Sequence, residues 1–461
     1  MSSNEKPKNA VLVGIQLPQV SSLEVQASLQ ELTRLVSTMG YNVIGTVTQK
    51  RSSDKSSSVL GDGKLAELAE WTGGSGKIGA MVEHKLSKAA QKWHDEAAEN
   101  SNSEAEEPTG ILSEEQKNSA QIVIVDTDLS PSQLRNLESA TGVGVLDRTG
   151  VIIEIFSRHA KTKAARLQVE IARLTYVAPR LRETGGNEDR GGGGVGGKGS
   201  GESSLELDKR KIRDRIKELK TELASIGNEH QVRRARREQE ITVALVGYTN
   251  AGKSSLMRAM TGSEVFVADK LFATLDTTIR PMYPETRPKV LVSDTVGFIK
   301  KLPHDLVASF KSTLDEALHA SLLLFVVDSS DVSFRSQLEV TKTVLAEVGA
   351  TDVPSLLVLN KKDRLSELDI ADLKSEYPDA IMISTRDPAD LKMLREKIMS
   401  YFEADMQDED LFIPYTVQGV IGDVRAKMRV LAESYDEKGV TLRVRSTDEM
   451  LTQIKSKLKV K

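Results

Sequence analysis

The sequence predicts an α/β protein. Its largest domain is a doubly wound, mainly parallel sheet, preceded by a smaller α/β domain and a long antiparallel helical hairpin, and followed by a small α+β domain. Three observations carry this. Five short apolar runs, at 241–246, 290–293, 322–327, 356–359 and 381–383, are separated by longer segments, several of them helical in pattern, as buried parallel strands require. A second strand–helix–strand alternation fills the chain up to about residue 155. Between the two lie a pair of apolar stripes, Leu167-Ile171-Leu174-Ala178-Leu181 and Ile212-Ile216-Leu219-Leu223-Ile226, both stepping 4-3-4-3 like helices that share a seam.

Composition narrows the function classes. With 461 residues, 39% hydrophobic and 28% charged, the chain has core enough for several domains. Its longest strongly apolar run, 322–327, is far short of the roughly 20 residues of a membrane span. The opening MSSNEKPKNA has no basic-then-apolar leader layout, so a cytosolic protein is expected. The absence of cysteine excludes disulfides, thiolate metal sites and cysteine nucleophiles. Six histidines never fall in pairs at metal-ligand spacing, and aromatic residues, at 4%, are too few for a dense base-stacking platform.

Taken in order, residues 1–157 read as the first domain. Residues 11–17 are a strand; Val25, Leu29, Leu32, Val36 and Met39 mark a helix stopped by Gly40; 41–48 is a strand and 64–71 a helix. An acidic insertion occupies about 84–118, and its stretch 94–118 holds eight acidic residues against one basic, the mark of a solvated segment. Residues 121–125 return as a buried strand, Ser130-Pro131 open a helix that Gly142 ends, and 143–146 is a further strand. The hairpin spans 158–240 around a glycine-rich loop at 185–201. It carries 20 Lys+Arg against 13 Asp+Glu on a chain of net charge −4, so it is a basic element on an acidic protein. The sheet domain runs 241–405; the closing domain, 406–461, is expected to hold strands at 416–420 and 440–444 and two helices.

The chemistry lies in the sheet domain. GYTNAGKS, Gly247, Tyr248, Thr249, Asn250, Ala251, Gly252, Lys253 and Ser254, follows its first strand and fits G-x-x-x-x-G-K-[ST]. In that pattern backbone N–H groups approach phosphates, the lysine reaches the β/γ-phosphates and the serine hydroxyl binds Mg²⁺, with Ser255 alongside. TGGSGKIG (72–79) and GGGGVGGKG (191–199) offer Gly-Lys without a following Ser or Thr and are rejected. NKKD (360–363) selects guanine: the Asp363 carboxylate accepts from the guanine N1–H and exocyclic amine, a donor pair adenine lacks, while Asn360 and Lys361 buttress the loop. DTVG, Asp294, Thr295, Val296 and Gly297, ends a strand, where Asp294 would hold Mg²⁺ through water and the Gly297 N–H would sense the γ-phosphate. DRTG (147–150) and DRGG (189–192) share that pattern, but only 294 lies at a strand end between the other two motifs. Thr274, Thr277 and Thr278 are candidates for the threonine that completes the Mg²⁺ shell; Ser384, Thr385 and Arg386 close over the base. Phe298 stands where many GTPases carry a water-orienting glutamine. It packs, and it leaves a slow intrinsic enzyme that needs outside help. Asn250 is a candidate to bind a monovalent cation beside the phosphates.

With GYTNAGKS, FATLD, DTVGFIKKLPHDLVASF, LDRTGVIIEIFSRHAKT and LQVEIARL in place, the sequence resembles the HflX family of translational GTPases over roughly residues 10–405. The resemblance implies a Ras-like G domain, GTP hydrolysis with Mg²⁺, a monomer, and binding to the rRNA of the large ribosomal subunit. It makes Thr274 the Mg²⁺ threonine, puts Phe272, Ala273, Leu275 and Asp276 with it beside the nucleotide, and places Lys253, Thr274 and Gly297 at the reacting phosphate. Departures are the acidic insertion, FATLDTTIR for the commoner FATLDPTTR, and NKKD for a commoner Asn-Lys-Ile-Asp. Two uses remain open: a ribosome factor whose hairpin inserts into rRNA, or a GTP-gated signalling module whose basic hairpin meets an acidic protein. The first domain has no G-x-G-x-x-G after its first strand, so a second nucleotide site there rests on family analogy alone.

Overall fold

The computed structural model describes residues 8–78, 116–181, 204–235, 240–262, 271–272, 278–300, 316–417 and 419–459. Most of the acidic insertion, the glycine-rich loop and residues 273–277 lie outside them. The chain divides into two compact units, residues 1–158 with 173–213, and residues 159–172 with 214–461.

The first unit is built on a parallel sheet of β1 (Lys8–Gln16), β2 (Tyr41–Lys50), β3 (Ile122–Val125) and β4 (Gly144–Asp147), in the order β2-β1-β3-β4. Helix α1 (Ser22–Thr38) starts at a capping box of Ser21 and Glu24 and buries Val25, Leu29, Leu32, Leu35 and Val36. That is the expected stripe, with Met39 as the cap residue and Gly40 at φ +83°. Helix α2 (Asp62–Thr72) and α3 (Pro131–Thr141) follow; α3 has Ser130 as N-cap, Pro131 in its first turn and Gly142 as a left-handed C-cap, as expected.

Helix α4 (Arg148–His159) was not expected. Its GVIIEIF core buries Val151, Ile152, Ile153, Ile155 and Phe156, while Glu154, Ser157 and Arg158 lie towards solvent. Asp147 of the DRTG motif starts it. Its fully buried carboxylate accepts from the Gly150 N–H at 2.8 Å, the Leu129 N–H at 3.2 Å, the Tyr176 hydroxyl at 2.7 Å and Arg180 at 3.0 Å. With four donors on it, this aspartate is structural.

Helix α5 (Lys163–Val177) ends before the expected Leu181, in a short 3₁₀ turn at Ala178–Arg180. Helix α6 (Ser204–Ala235) buries Leu219 and half-buries Ile212, Ile216, Leu223 and Ile226, the predicted seam. The ion pairs Lys163–Glu222 (2.6 Å) and Arg215–Glu170 (3.1 Å) run in antiparallel order between the two helices.

The second unit contains a six-stranded sheet of β5 (Ile241–Val246), β6 (Thr278–Pro281), β7 (Val290–Asp294), β8 (Leu322–Asp328), β9 (Ser355–Asn360) and β10 (Ile381–Met382), ordered β10-β9-β8-β5-β7-β6. All neighbours are parallel except β6 on β7. The five expected strands are present; the edge strand β6 was missed because Thr-Ile-Arg-Pro is half exposed. Strand side chains alternate between two cores. One joins Val243, Leu245, Val292 and Leu324 to Leu256, Met257, Leu394 and Ile398; the other joins Val327 and Leu359 to Phe334, Leu338 and Leu373. The helices that cover them are α7 (Lys253–Thr261), α8 (Phe334–Val348), α9 (Glu367–Glu376) and α10 (Pro388–Glu403).

Residues 407–459 form an antiparallel sheet β11-β13-β12, of β11 (Gln407–Pro414), β12 (Arg429–Tyr435) and β13 (Gly439–Ser446), with helices α11 (Val420–Lys427) and α12 (Asp448–Lys459). This corrects one expected strand. The segment 416–420 is a turn into α11, where Gly419 at φ +84° is the N-cap, while 440–444 lies within β13 as expected. The acidic QDEDLFIP hid β11, whose only buried side chains are Leu411 and Ile413.

Candidate nucleotide-binding site

Strand β5 ends at Val246 and hands the chain to the GYTNAGKS loop, which enters α7 at Lys253. The loop closes against the segment after β7 by backbone pairing. Phe298 N–H donates to the Gly247 carbonyl at 3.1 Å, and Thr249 N–H to the Phe298 carbonyl at 2.8 Å. The Lys300 N–H donates to the Tyr248 hydroxyl at 2.6 Å. Phe298 is 2% exposed. Its ring is core, which accords with the packing role expected of it.

Two glycines are fixed by close approach. Gly252 sits at φ +96°, and a Cβ there would lie 2.3 Å from the Asn360 Nδ2. A Cβ at Gly297 would lie 2.9 Å from both the Lys253 Nζ and the Thr249 Cα. The loop is thus pressed between the DTVG and NKKD segments.

Lys253 is buried, its Nζ donating to the Gly247 carbonyl at 3.0 Å and the Tyr248 carbonyl at 2.8 Å. Burial pushes its amine down to about 8, with the Asp294 charge opposing that shift. The Ser254 hydroxyl donates to the fully buried Asp294 carboxylate at 2.8 Å. Thr295, behind it, donates to the Leu245 carbonyl at 2.7 Å, and Val296 is buried. Ser255 is half-buried in the first turn of α7.

The base-side loops converge on the same elements. Asn360 Nδ2 donates to the Ala251 carbonyl at 2.9 Å, and Lys361, at φ +65°, donates to the Asn250 carbonyl at 2.9 Å. Asp363 accepts from the Ser384 hydroxyl at 2.7 Å and lies 3.6 Å from Arg386. The Ser384 hydrogen bond holds its carboxyl below the usual carboxylate range, with the Arg386 charge assisting. Ser384 is buried, Thr385 half-buried and Arg386 exposed.

Ala273, Thr274, Leu275, Asp276 and Thr277 lie outside the described residues. Phe272 is buried at φ +58°, and Thr278 opens β6 in register with Asp294. Sequence reasoning missed two carboxylates. Asp328, at the end of β8, holds Lys361 at 2.7 Å, and Asp390, in α10, accepts from the Ser384 N–H at 2.7 Å. Asp328 could have been found as the charged residue closing an apolar strand; Asp390 had no such signal.

The donor set fits a magnesium nucleotide. Ser254 and Asp294 bring hard oxygen donors together at the start of a helix, and the buried Thr249 hydroxyl and Asn360 amide oxygen have no hydrogen-bond partner among the described residues.

Comparison with known proteins covers most of the chain. Family models for a GTP-binding GTPase N-terminal region match residues 26–101 and 102–157, one for a GTP-binding GTPase middle region matches 159–237, and one described as 50S ribosome-binding GTPase matches 242–361. The GTPase HflX of Gluconacetobacter diazotrophicus is 57% identical over 449 residues, 97% of each chain. The chain belongs to the HflX family of GTPases. Within that family it is also 36% identical to the HflX of Caldanaerobacter subterraneus subsp. tengcongensis, over 97% of this chain and 93% of that one. To the Escherichia coli HflX it is 35% identical, over 88% and 86%. A GTP-binding protein of Sulfolobus solfataricus in complex with GDP is 23% identical, aligned over 85% of this chain and 98% of its own at a TM-score of 0.42. The protein is thus a GTP-hydrolysing P-loop enzyme. No helix among the described residues is long and apolar enough to cross a membrane.

Proposed function

We propose that this HflX-family enzyme binds the large ribosomal subunit in the cytoplasm and hydrolyses GTP there, in the splitting, rescue or recycling of ribosomes. The observation that carries the reading is the match of residues 242–361 to the 50S ribosome-binding GTPase model. The basic hairpin supports it: Lys209, Arg210, Lys211, Arg213 and Arg215 are exposed along α6, a layout suited to phosphates.

In this reading the backbone of 247–254 and the start of α7 cradle the phosphates. Lys253 leaves the loop carbonyls for the β/γ-oxygens, where anionic charge favours its protonated form. Ser254, Thr274 and, through water, Asp294 would hold Mg²⁺, which when bound would neutralise charge on the phosphates. Gly297 N–H faces the γ-phosphate, while Phe298 leaves the water without a polar side chain to orient it. Asp363 reads the guanine edge, with Ser384, Thr385 and Arg386 over the base. The ribosome supplies what Phe298 does not. Co-sedimentation of the GTP-analogue form with 50S subunits tests this: salt-sensitive pelleting is expected, and its absence would return the hairpin to a signalling role.

A further inference from the structure

Lys362 is the one residue of NKKD to which the nucleotide-site reading gives no task. Its ammonium pairs with Asp390, a residue 28 positions onward and 5% exposed. A buried carboxylate at the start of a helix has an ordinary explanation, capping. Here that explanation is taken: Asp387 is the N-cap of α10 and accepts from the Ala389 N–H at 2.9 Å. Asp390 instead turns one oxygen to the Ser384 N–H at 2.7 Å and the other to Lys362. A charge placed where desolvation is costly persists only with such partners.

The two partners belong to the two loops that frame the base. Lys362 adjoins Asp363, and Ser384 donates its hydroxyl to the Asp363 carboxylate at 2.7 Å. The Lys362 N–H donates to the Ile383 carbonyl at 3.1 Å, so backbone pairing already brings the loops side by side. What backbone pairing leaves free is rotation of the Ser384 peptide and the swing of the NKKD turn. The Lys362–Asp390–Ser384 bridge removes both.

We propose that Lys362 and Asp390 are positioning residues: a charged clamp that ties the NKKD turn to the 384–386 loop, fixes the Asp363 carboxylate for the guanine edge and so sets guanine-nucleotide residence. The inference deepens the base-site reading and rests on it. Neither residue is given a nucleotide contact in that reading. Their effect passes through Ser384 and Asp363.

The test uses the full-length chain, a fluorescent GDP analogue, and unlabelled GDP and IDP as competitors. IDP lacks the exocyclic amine, so the GDP-over-IDP preference reads the placement of Asp363, a quantity that loss of general stability does not move. Asp390→Ala should weaken GDP binding about tenfold or more through faster dissociation, and should shrink the GDP-over-IDP preference. The same loss should fall on KM for GTP rather than on kcat. Lys362→Met should act in the same direction by a smaller factor, and the double variant should be no worse than Asp390→Ala, because both remove one bridge. Asp390→Asn, which keeps an acceptor for the Ser384 N–H, should recover part of the loss. If Asp390→Ala does not fold, Lys362→Met, at a partly exposed side chain, carries the measurement. An unchanged GDP dissociation rate in both single variants would overturn the clamp, as would weaker binding with the GDP-over-IDP preference intact. Asp363→Asn separates this from the reading beneath it. If that variant also keeps the wild-type preference, the base site itself is misassigned; if it alone loses the preference, only the clamp falls.

Discussion

The proposed base site places its specificity in the Asp363 carboxylate, which the Ser384 hydroxyl and Arg386 flank. Asp363→Asn exchanges an acceptor for a donor at the guanine N1–H, where losing a charged hydrogen bond costs about 1.5–3 kcal/mol. GTP affinity should fall accordingly and xanthosine triphosphate should gain, measured by competition against a fluorescent GDP analogue. The pH dependence follows from the same group. Its carboxyl is held below the usual range by Ser384, so it stays ionised above that range, and its acceptor role is lost only as pH falls through the lowered value. GDP affinity titrated from pH 8 to pH 5 should therefore show no inflection from Asp363; an inflection that Asp363→Asn removes would contradict this. At the phosphate end, Lys253→Ala and Ser254→Ala should each abolish measurable turnover in a phosphate-release assay, since on the proposed reading each removes a group that holds the nucleotide's charge.

At the scale of elements, the proposed ribosome role assigns separate tasks to helix α6 and to the segment 186–201. Neutralising Lys209, Arg210 and Lys211 together should weaken ribosome binding and flatten its salt dependence, by roughly one unit of slope for each phosphate that is no longer neutralised. Replacing residues 186–201 by a short Gly-Ser turn should spare GTP binding yet lose the effect on ribosomes; wild-type potency of that variant in a ribosome assay would remove the loop's role. What was legible in the sequence follows burial. The central strands β5, β7, β8 and β9 showed as apolar runs because both faces are covered, and α1, α3 and α6 showed through caps or seams. The edge strands β6, β11 and β12 did not, because half-exposed strands are written in polar residues. Helix α4 failed for the opposite reason, its run 150–153 being apolar and buried without a break, like a strand's. The GYTNAGKS, DTVG and NKKD motifs were legible in the sequence by their spacing, and the structure brings their segments together. Asp328 and Asp390 were less so, because they serve the site from other elements, where spacing carries no trace of the nucleotide.

For the whole molecule, the charge layout and the missing polar side chain at 298 point the same way. A chain of net charge −4 that concentrates a positive excess in the hairpin has one element suited to a polyanion, and an active site with phenylalanine after DTVG has no water-orienting glutamine of its own. On the proposed reading, binding and catalysis are coupled through the ribosome. The most direct test is steady-state GTP turnover with and without purified 50S subunits at fixed salt. The account predicts a slow basal rate that rises by orders of magnitude with subunits, with Lys253→Ala silent in both conditions. Equal rates with and without subunits, or rapid turnover by the protein alone, would contradict it.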